Sequence, residues 1–256
     1  MLPSPTETNR KENNKAMKKI NRIKVCLVAF AAVAAFSGCA SSGADGTPCQ
    51  TQSPACAAQN LKTQKKMTKD MFYKNGKFDQ EAAKQAYFDT MKKLGYPISD
   101  NLRENMWVTD FDLGDFPNVG MAGIFWAHEN KHGVFGHEII LLPNQMLIEH
   151  AHVAQDGLPA KNECWQARAG TTYCFGETGE MDDTQLPEVK VPESQKNFIT
   201  VHKVTKADSK KGNVVWLSRI GSFHYQIAGP EGAVVTEYGS YHNTPGNRYT
   251  NPKVGF

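Results

Sequence analysis

The chain has 256 residues, 40% of them hydrophobic and 21% charged, with a formal net charge of +3. Its first 38 residues carry seven Lys+Arg against two Asp+Glu, a net of +5, which leaves the remainder at −2. The basic balance therefore belongs to the leader. No basic patch with interleaved aromatics follows it, which excludes a nucleic-acid-binding surface.

In chain order, Met17-Lys18-Lys19-Ile20-Asn21-Arg22-Ile23-Lys24 is a basic stretch followed by an apolar run over 25–36. A basic start, a short apolar core and small residues at the end mark an export signal over 1–38. The run is too short and wrongly flanked for a membrane span. Ser37-Gly38 directly before Cys39 resembles a lipoprotein signal, in which Cys39 is lipidated, although Phe36 stands where leucine is usual. An ordinary secretory signal cut slightly downstream is the plainer alternative. Either reading makes the protein exported. Lipidation would hold it to a membrane, in the periplasm or at the cell surface, by that anchor alone. Residues 39–68 are rich in Ser, Gly, Thr, Gln and Lys, a composition that reads as a flexible tether. Residues 69–256 then have the size of one domain.

That domain starts with a helical preface. A short helix is expected over 68–73. A clear one follows from Asp79, a good N-cap, to about Leu94, with Ala83, Tyr87, Met91 and Leu94 at helical spacing and Gly95 as the stop. Beyond Leu102 the pattern turns to strands: 106–111, 119–126, 137–142, 145–152, 163–167, 171–175, 198–204, 214–217, 222–228 and 233–238. Gly, Pro, Asn and Asp fill the breaks, as turns require. About ten short strands after a helical preface predict a mainly β fold, as a closed sheet or a sandwich. Cys164 and Cys174 flank Gly170, so a hairpin there would set them opposite each other, as a disulfide or as buried thiols.

The chemistry concentrates in Glu149-His150-Ala151-His152 and Lys161-Asn162-Glu163. Side chains alternate along a strand, so His150 and His152 share a face. A neighbouring strand that brings Glu163 to that face supplies two imidazoles and a carboxylate to one point, a set that binds a divalent metal. Singly, each histidine reads as a packed or surface residue; His128, His132, His137, His202 and His242 show no comparable spacing and are expected to be structural or exposed.

His-x-His followed by Glu is the metal motif of a cupin barrel, and the chain resembles one cupin group more closely, the D-lyxose isomerases. The likeness rests on Asp110-Phe111-Asp112-Leu113-Gly114-Asp115-Phe116, Gly136-His137-Glu138-Ile139-Ile140-Leu141-Leu142-Pro143, the two metal-motif segments, and Ala228-Gly229-Pro230-Glu231-Gly232-Ala233-Val234-Val235-Thr236-Glu237. It departs from the family in its export signal and in Tyr225-Gln226 after His224. The resemblance implies a cupin (double-stranded β-helix, jelly-roll) barrel with N-terminal helices, His224 as fourth ligand beside His150, His152 and Glu163, manganese as the metal, and a homodimer. It implies aldose–ketose isomerisation between D-lyxose and D-xylulose, with D-mannose and D-fructose as a second pair, through a cis-enediolate. Lys161 and Glu237 are the candidates for moving the proton; Trp126 and Phe175 are candidates for lining the sugar pocket. The alternatives are a cupin oxygenase, which uses two histidines and a carboxylate, or a sugar-binding cupin without catalysis.

Overall fold

The computed structural model describes residues 67–255. The export signal over 1–38, Cys39, Cys49, Cys56 and all but the last two residues of the 39–68 tether lie outside the described residues. The described part falls within one unit, Lys62–Phe256.

A single 3-10 turn, Lys69–Met71, stands where the first short helix is expected. The two-residue strands β1 (Tyr73–Lys74) and β2 (Lys77–Phe78) then pair with each other. Helix α1, Gln80–Lys93, starts as its sequence predicts: the Asp79 carboxylate accepts the Ala82 amide, satisfying one of the open donors of the first turn. Ala83, Tyr87 and Met91 are buried along its inner stripe. Tyr87 donates its hydroxyl to Gln145 Oε1 at 2.8 Å, and Gln145 Nε2 donates in turn to the Phe116 carbonyl. This buried bond ties the helix to the sheet. A second helix, α2 (Asp100–Asn105), was not expected; Ser99 caps it through the Leu102 amide. Its six residues are too few for a helical stripe to show in the sequence.

The remaining described strands form one ten-stranded sheet, interrupted by the 3-10 turns Asp183–Gln185, Glu193–Phe198 and Thr244–Gly246. Its strands are β3 (Trp107–Thr109), β4 (Met121–Glu129), β5 (Val134–Leu141), β6 (Met146–His152), β7 (Glu163–Gly176), β8 (Met181–Asp182), β9 (Lys203–Asp208), β10 (Val214–Trp216), β11 (His224–Ser240) and β12 (Asn247–Tyr249). The ladder runs β3-β4-β5-β11-β7-β9-β8, with β10 on β7, β6 on β11 and β12 on β6.

This corrects the expected closed cupin barrel. The fold is mixed α/β, and its sheet stays open: no pairing among the described residues joins β3 at one end of the ladder to β8 at the other. The expectation counted ten short strands, but two pairs of them are continuous. Segments 163–167 and 171–175 form the single strand β7, and 222–228 and 233–238 form the single strand β11. A strand 17 residues long serves two neighbours on one side in succession: β11 pairs with β6 near His224 and with β5 from Ala233 to Ser240. The glycines read as hairpin turns mark irregularities inside these strands. Gly170 has φ +67°, and a Cβ there would stand 2.1 Å from the Gly232 carbonyl oxygen, beside the register shift between β7 and β11. Cys164 and Cys174 accordingly lie at opposite ends of one strand, both buried and both free thiols.

The sheet is covered on both faces where it matters. On β5, Ile139 and Leu141 enter one apolar cluster with Leu147, Trp165 and Val235, while Ile140 enters another with Tyr87, Met91 and Val234. Alternation of side chains explains why this segment reads as an unbroken apolar run. The first of these clusters floors the site described next.

Candidate metal centre

β6 carries His150 and His152 on its last three residues, and every residue of the strand is buried. β11 begins at His224 and faces His150 directly in register; β12 runs along the other edge, with Tyr249 opposite His150 and Asn247 opposite His152. Three imidazoles from two paired strands thus converge. Ligand nitrogens of His150, His152 and His224 all lie within 4.8 Å of one another, and the three residues could hold one metal ion. Glu163, the first residue of β7, reaches the same point: its Oε1 is 3.0 Å from His152 Nε2 and 3.1 Å from His224 Nε2.

The hydrogen bonds on the far side of each ring decide what the near side can do. His150 Nδ1 donates to the Ile148 carbonyl at 2.8 Å and His224 Nδ1 to the Ser222 carbonyl at 3.1 Å. His152 Nδ1 faces Asn247 Oδ1 at 2.9 Å. A carbonyl only accepts, so each Nδ1 carries a proton and each ring turns its Nε2 toward the cluster. Burial, with His224 and His152 beside it, pushes the His150 pKa well down and keeps that ring neutral. Without a proton on Nε2, each of the His152 and His224 rings would set a lone pair about 3 Å from a carboxylate oxygen, a contact that a cation relieves. The Nε2 atoms of His152 and His224 and both oxygens of Glu163 are buried without a well-directed hydrogen bond. A cation would satisfy such a set, and its donors suit a divalent one.

Lys161 and Glu237 adjoin this cluster. Lys161 Nζ lies 2.7 Å from Glu163 Oε2 and in contact with Glu237 Oε1, and its ammonium sits over the Phe135 ring at 4.2 Å. The lysine stem passes over Gly239, where a Cβ would approach it to 3.0 Å. Burial by itself would weaken the hold of Lys161 on its proton, but Glu163 and Glu237 outweigh it and raise the pKa above 10.5. Burial likewise opposes ionisation of the two carboxyls. For Glu163, Lys161, His152 and His224 win and hold the pKa well below the usual range; for Glu237, Lys161 brings it down to about 2. The metal-free pair is therefore an ammonium between two carboxylates.

A cavity of about 360 Å3 opens onto the cluster, near the lower end of the range of about 300–1,000 Å3 typical of small-molecule sites. His150, His152, Lys161 and Glu237 line it. The two sequence-predicted pocket aromatics do not. Trp126 is largely exposed and donates its Nε1 to Glu138, while Phe175 stacks on Tyr225 in a separate cluster. The aromatic wall is instead Trp107, Phe125 and Phe135. Trp126 is the extra residue at a register shift of β4 against β5, between Phe125 and Ala127, where simple alternation does not apply.

Three further polar residues line the cavity. His242 is buried; its Nε2 lies 2.7 Å from Asn247 Oδ1 and 3.2 Å from His152 Nδ1. Asn247 holds the outer side of His152, and His137 stands 3.7 Å from Glu237. For His242 and Asn247 the sequence carries no signal, whereas His137 lies in the Gly136–Pro143 segment of the likeness and is set opposite Glu237 by a register that the sequence does not reveal.

The arrangement is a three-histidine cluster able to hold a metal ion, open to a small-molecule cavity. No family model matches the chain. It is 28% identical over 168 residues to the D-lyxose/D-mannose isomerase of Thermosediminibacter oceani, covering 65% of this chain and 88% of that protein. It is 25% identical over 174 residues to the D-lyxose ketol-isomerase of Cohnella laeviribosi, covering 67% and 90%. The L-ribose isomerase structure of Cellulomonas parahominis matches with a TM-score of 0.49 at 14% identity, over 68% of this chain and 89% of that one. The chain is a distant homologue of the D-lyxose isomerases.

Proposed function

We propose that the protein is a metal-dependent aldose–ketose isomerase that interconverts D-lyxose and D-xylulose, and D-mannose and D-fructose as a second pair. The observation that carries this reading is the meeting, at one cavity, of a three-histidine cluster and the buried Lys161–Glu237 pair. The distant homology to D-lyxose isomerases supports it.

His150, His152 and His224 would hold the metal through Nε2, with Glu163 as the fourth ligand. Manganese is the ion implied by the resemblance, although such donor sets bind zinc, cobalt or nickel more tightly. When bound, a divalent ion supplies Lewis-acid polarisation of the sugar carbonyl. The chain's own residues do the rest. Glu237, ionised, accepts the proton from C2 of the aldose as the C1 carbonyl becomes an enediolate oxygen. Lys161, held as an ammonium, donates to that oxygen. Return of a proton to C1 and loss of one from the C2 hydroxyl complete the ketose, so no oxidant or reductant is consumed. General acid–base transfer of this kind is worth about 10²–10⁴-fold.

The test is to strip the full chain with a chelator, reload it with Mn²⁺, and incubate it with D-lyxose, D-mannose and D-ribose. Ketose should form from D-lyxose and D-mannose and should require the metal. Stoichiometric metal with no ketose from any of the three aldoses overturns the reading.

A further inference from the structure

Residues 241–246 join β11 to β12 and run along the cavity, with their backbone pinned at both ends. The Tyr241 amide donates to the Gly133 carbonyl, His128 Nε2 to the His242 carbonyl at 2.8 Å, and the Val153 amide to the Gly246 carbonyl. Gly246 lets the loop close, since a Cβ there would stand 2.4 Å from the His242 ring. His242 and Asn247, which flank the rest of the loop, both reach the outer side of His152. Between them, Asn243 and Thr244 line the cavity, so these two side chains are held beside the histidine cluster.

Neither side chain makes a hydrogen bond among the described residues. The sequence explains why for Asn243. It directly precedes the 3-10 turn Thr244–Gly246, where an asparagine oxygen ordinarily accepts the second or third amide of the turn. Here the second is Pro245, which has no amide, and the third, Gly246, donates to the Asn243 main-chain carbonyl at 3.1 Å. The Asn243 side chain is left over and half-buried at the cavity; Thr244 beside it is exposed.

The polar groups nearer the cluster are already committed. His242 and Asn247 hold each other and His152, and Lys161 and Glu237 hold each other. Lys161 is shared between two carboxylates and the lining contains no arginine, which suits a neutral ligand better than a phosphorylated one. A monosaccharide held at its two reacting carbons still carries hydroxyls on the carbons beyond them. An amide offers donors and an acceptor, and a threonine hydroxyl offers one of each. Sugar hydroxyls, which also give and take, match both; a carboxylate matches the donors alone.

We propose, relying on the isomerase reading for the identity of the substrate, that Asn243 and Thr244 are specificity-determining residues that bind its hydroxyls beyond the two reacting carbons. They bind and orient the chain of the sugar; the chemistry stays with Lys161 and Glu237.

The test uses the full chain loaded with Mn²⁺ and a polyol that cannot isomerise, D-arabinitol, the alditol of D-lyxose. Calorimetry compares the parent chain with N243A, T244V and the double variant, with metal content and unfolding midpoint read in parallel. Each single variant should weaken D-arabinitol binding about 2–10-fold, the range of one lost hydrogen bond, and the double variant more than either. Metal stoichiometry and midpoint should not move, because neither side chain bonds to the protein. With D-lyxose, the same variants should raise KM more than they lower kcat. Unchanged polyol affinity in the double variant overturns the proposal, as does absence of polyol binding by the parent chain. Loss of metal or of midpoint in parallel with affinity also overturns it, by making both residues structural. Polyol binding that weakens as expected, without ketose from any aldose, retains the hydroxyl-binding role and removes the isomerase reading alone.

Discussion

Lys161 is the residue on which stability and chemistry meet. It is 3% exposed and compensates two buried carboxylates at once. Lys161→Ala should keep its metal, because the three histidines remain, and lose about 10²–10⁴-fold in turnover, checked by metal analysis beside a ketose assay. It should also destabilise the metal-free chain by about 3–5 kcal/mol, the cost of leaving buried charge uncompensated, and less when metal neutralises Glu163; urea unfolding with and without metal reads the difference. Glu237 sets a pH dependence. Burial raises its pKa, but Lys161 outweighs burial and holds it at about 2 against an ordinary 4.5. A carboxyl held low by the fold contributes stability that is present above its unfolded value and lost as pH falls through its folded one. Unfolding free energy measured between pH 4.5 and about 2 should fall less steeply in Glu237→Gln than in the parent chain. Lys161 and Glu237 were legible as a pair from their place in the resemblance. That they touch was not, since 76 residues separate them.

At the scale of elements, the strands that hold the site do so through register. β12 is three residues long and gives no strand signal in the sequence, yet it sets Asn247 against His152. Asn247→Ala removes the shorter of the two contacts to the outer nitrogen of that imidazole, so metal affinity should fall about 10–100-fold in a chelator competition. The long strands depend on their irregularities. Gly170→Ala would force a side chain into the left-handed region and against the Gly232 carbonyl. It should cost upward of about 1–3 kcal/mol, read as a lowered urea midpoint. The helix at Asp79 and most strand cores were legible, because capping chemistry and alternation are local. The fusion of four expected strands into β7 and β11 was not. A glycine that permits a bulge and a glycine that permits a turn look alike until the partner strand is known.

For the molecule as a whole, metal and fold should be linked. The ligands come from β6, β11 and the start of β7, so they meet only when the sheet is assembled. An ion that binds the folded state alone stabilises it by mass action, about 2.7 kcal/mol at a hundredfold excess over Kd. Chelation should lower the thermal midpoint of the full chain, and Mn²⁺ should restore it in a concentration-dependent way. A midpoint indifferent to both would mean that the cluster does not hold the ion in the folded protein.

What the sequence determined by itself is the chemistry available: His150 and His152 on one strand face, Glu163 and Lys161 two residues apart, His224 and Glu237 on a later segment, and a helix capped at Asp79. These are local patterns, written in residue type and spacing. The tertiary structure decided how they are used. It replaced the expected closed barrel with an open sheet and moved the pocket aromatics from Trp126 and Phe175 to Trp107 and Phe125. It also brought His137, His242 and Asn247 to the site. The physical reason is the same in each case: strand order and register depend on partners far away in the chain, and the choice among them is made by packing on both faces of the sheet.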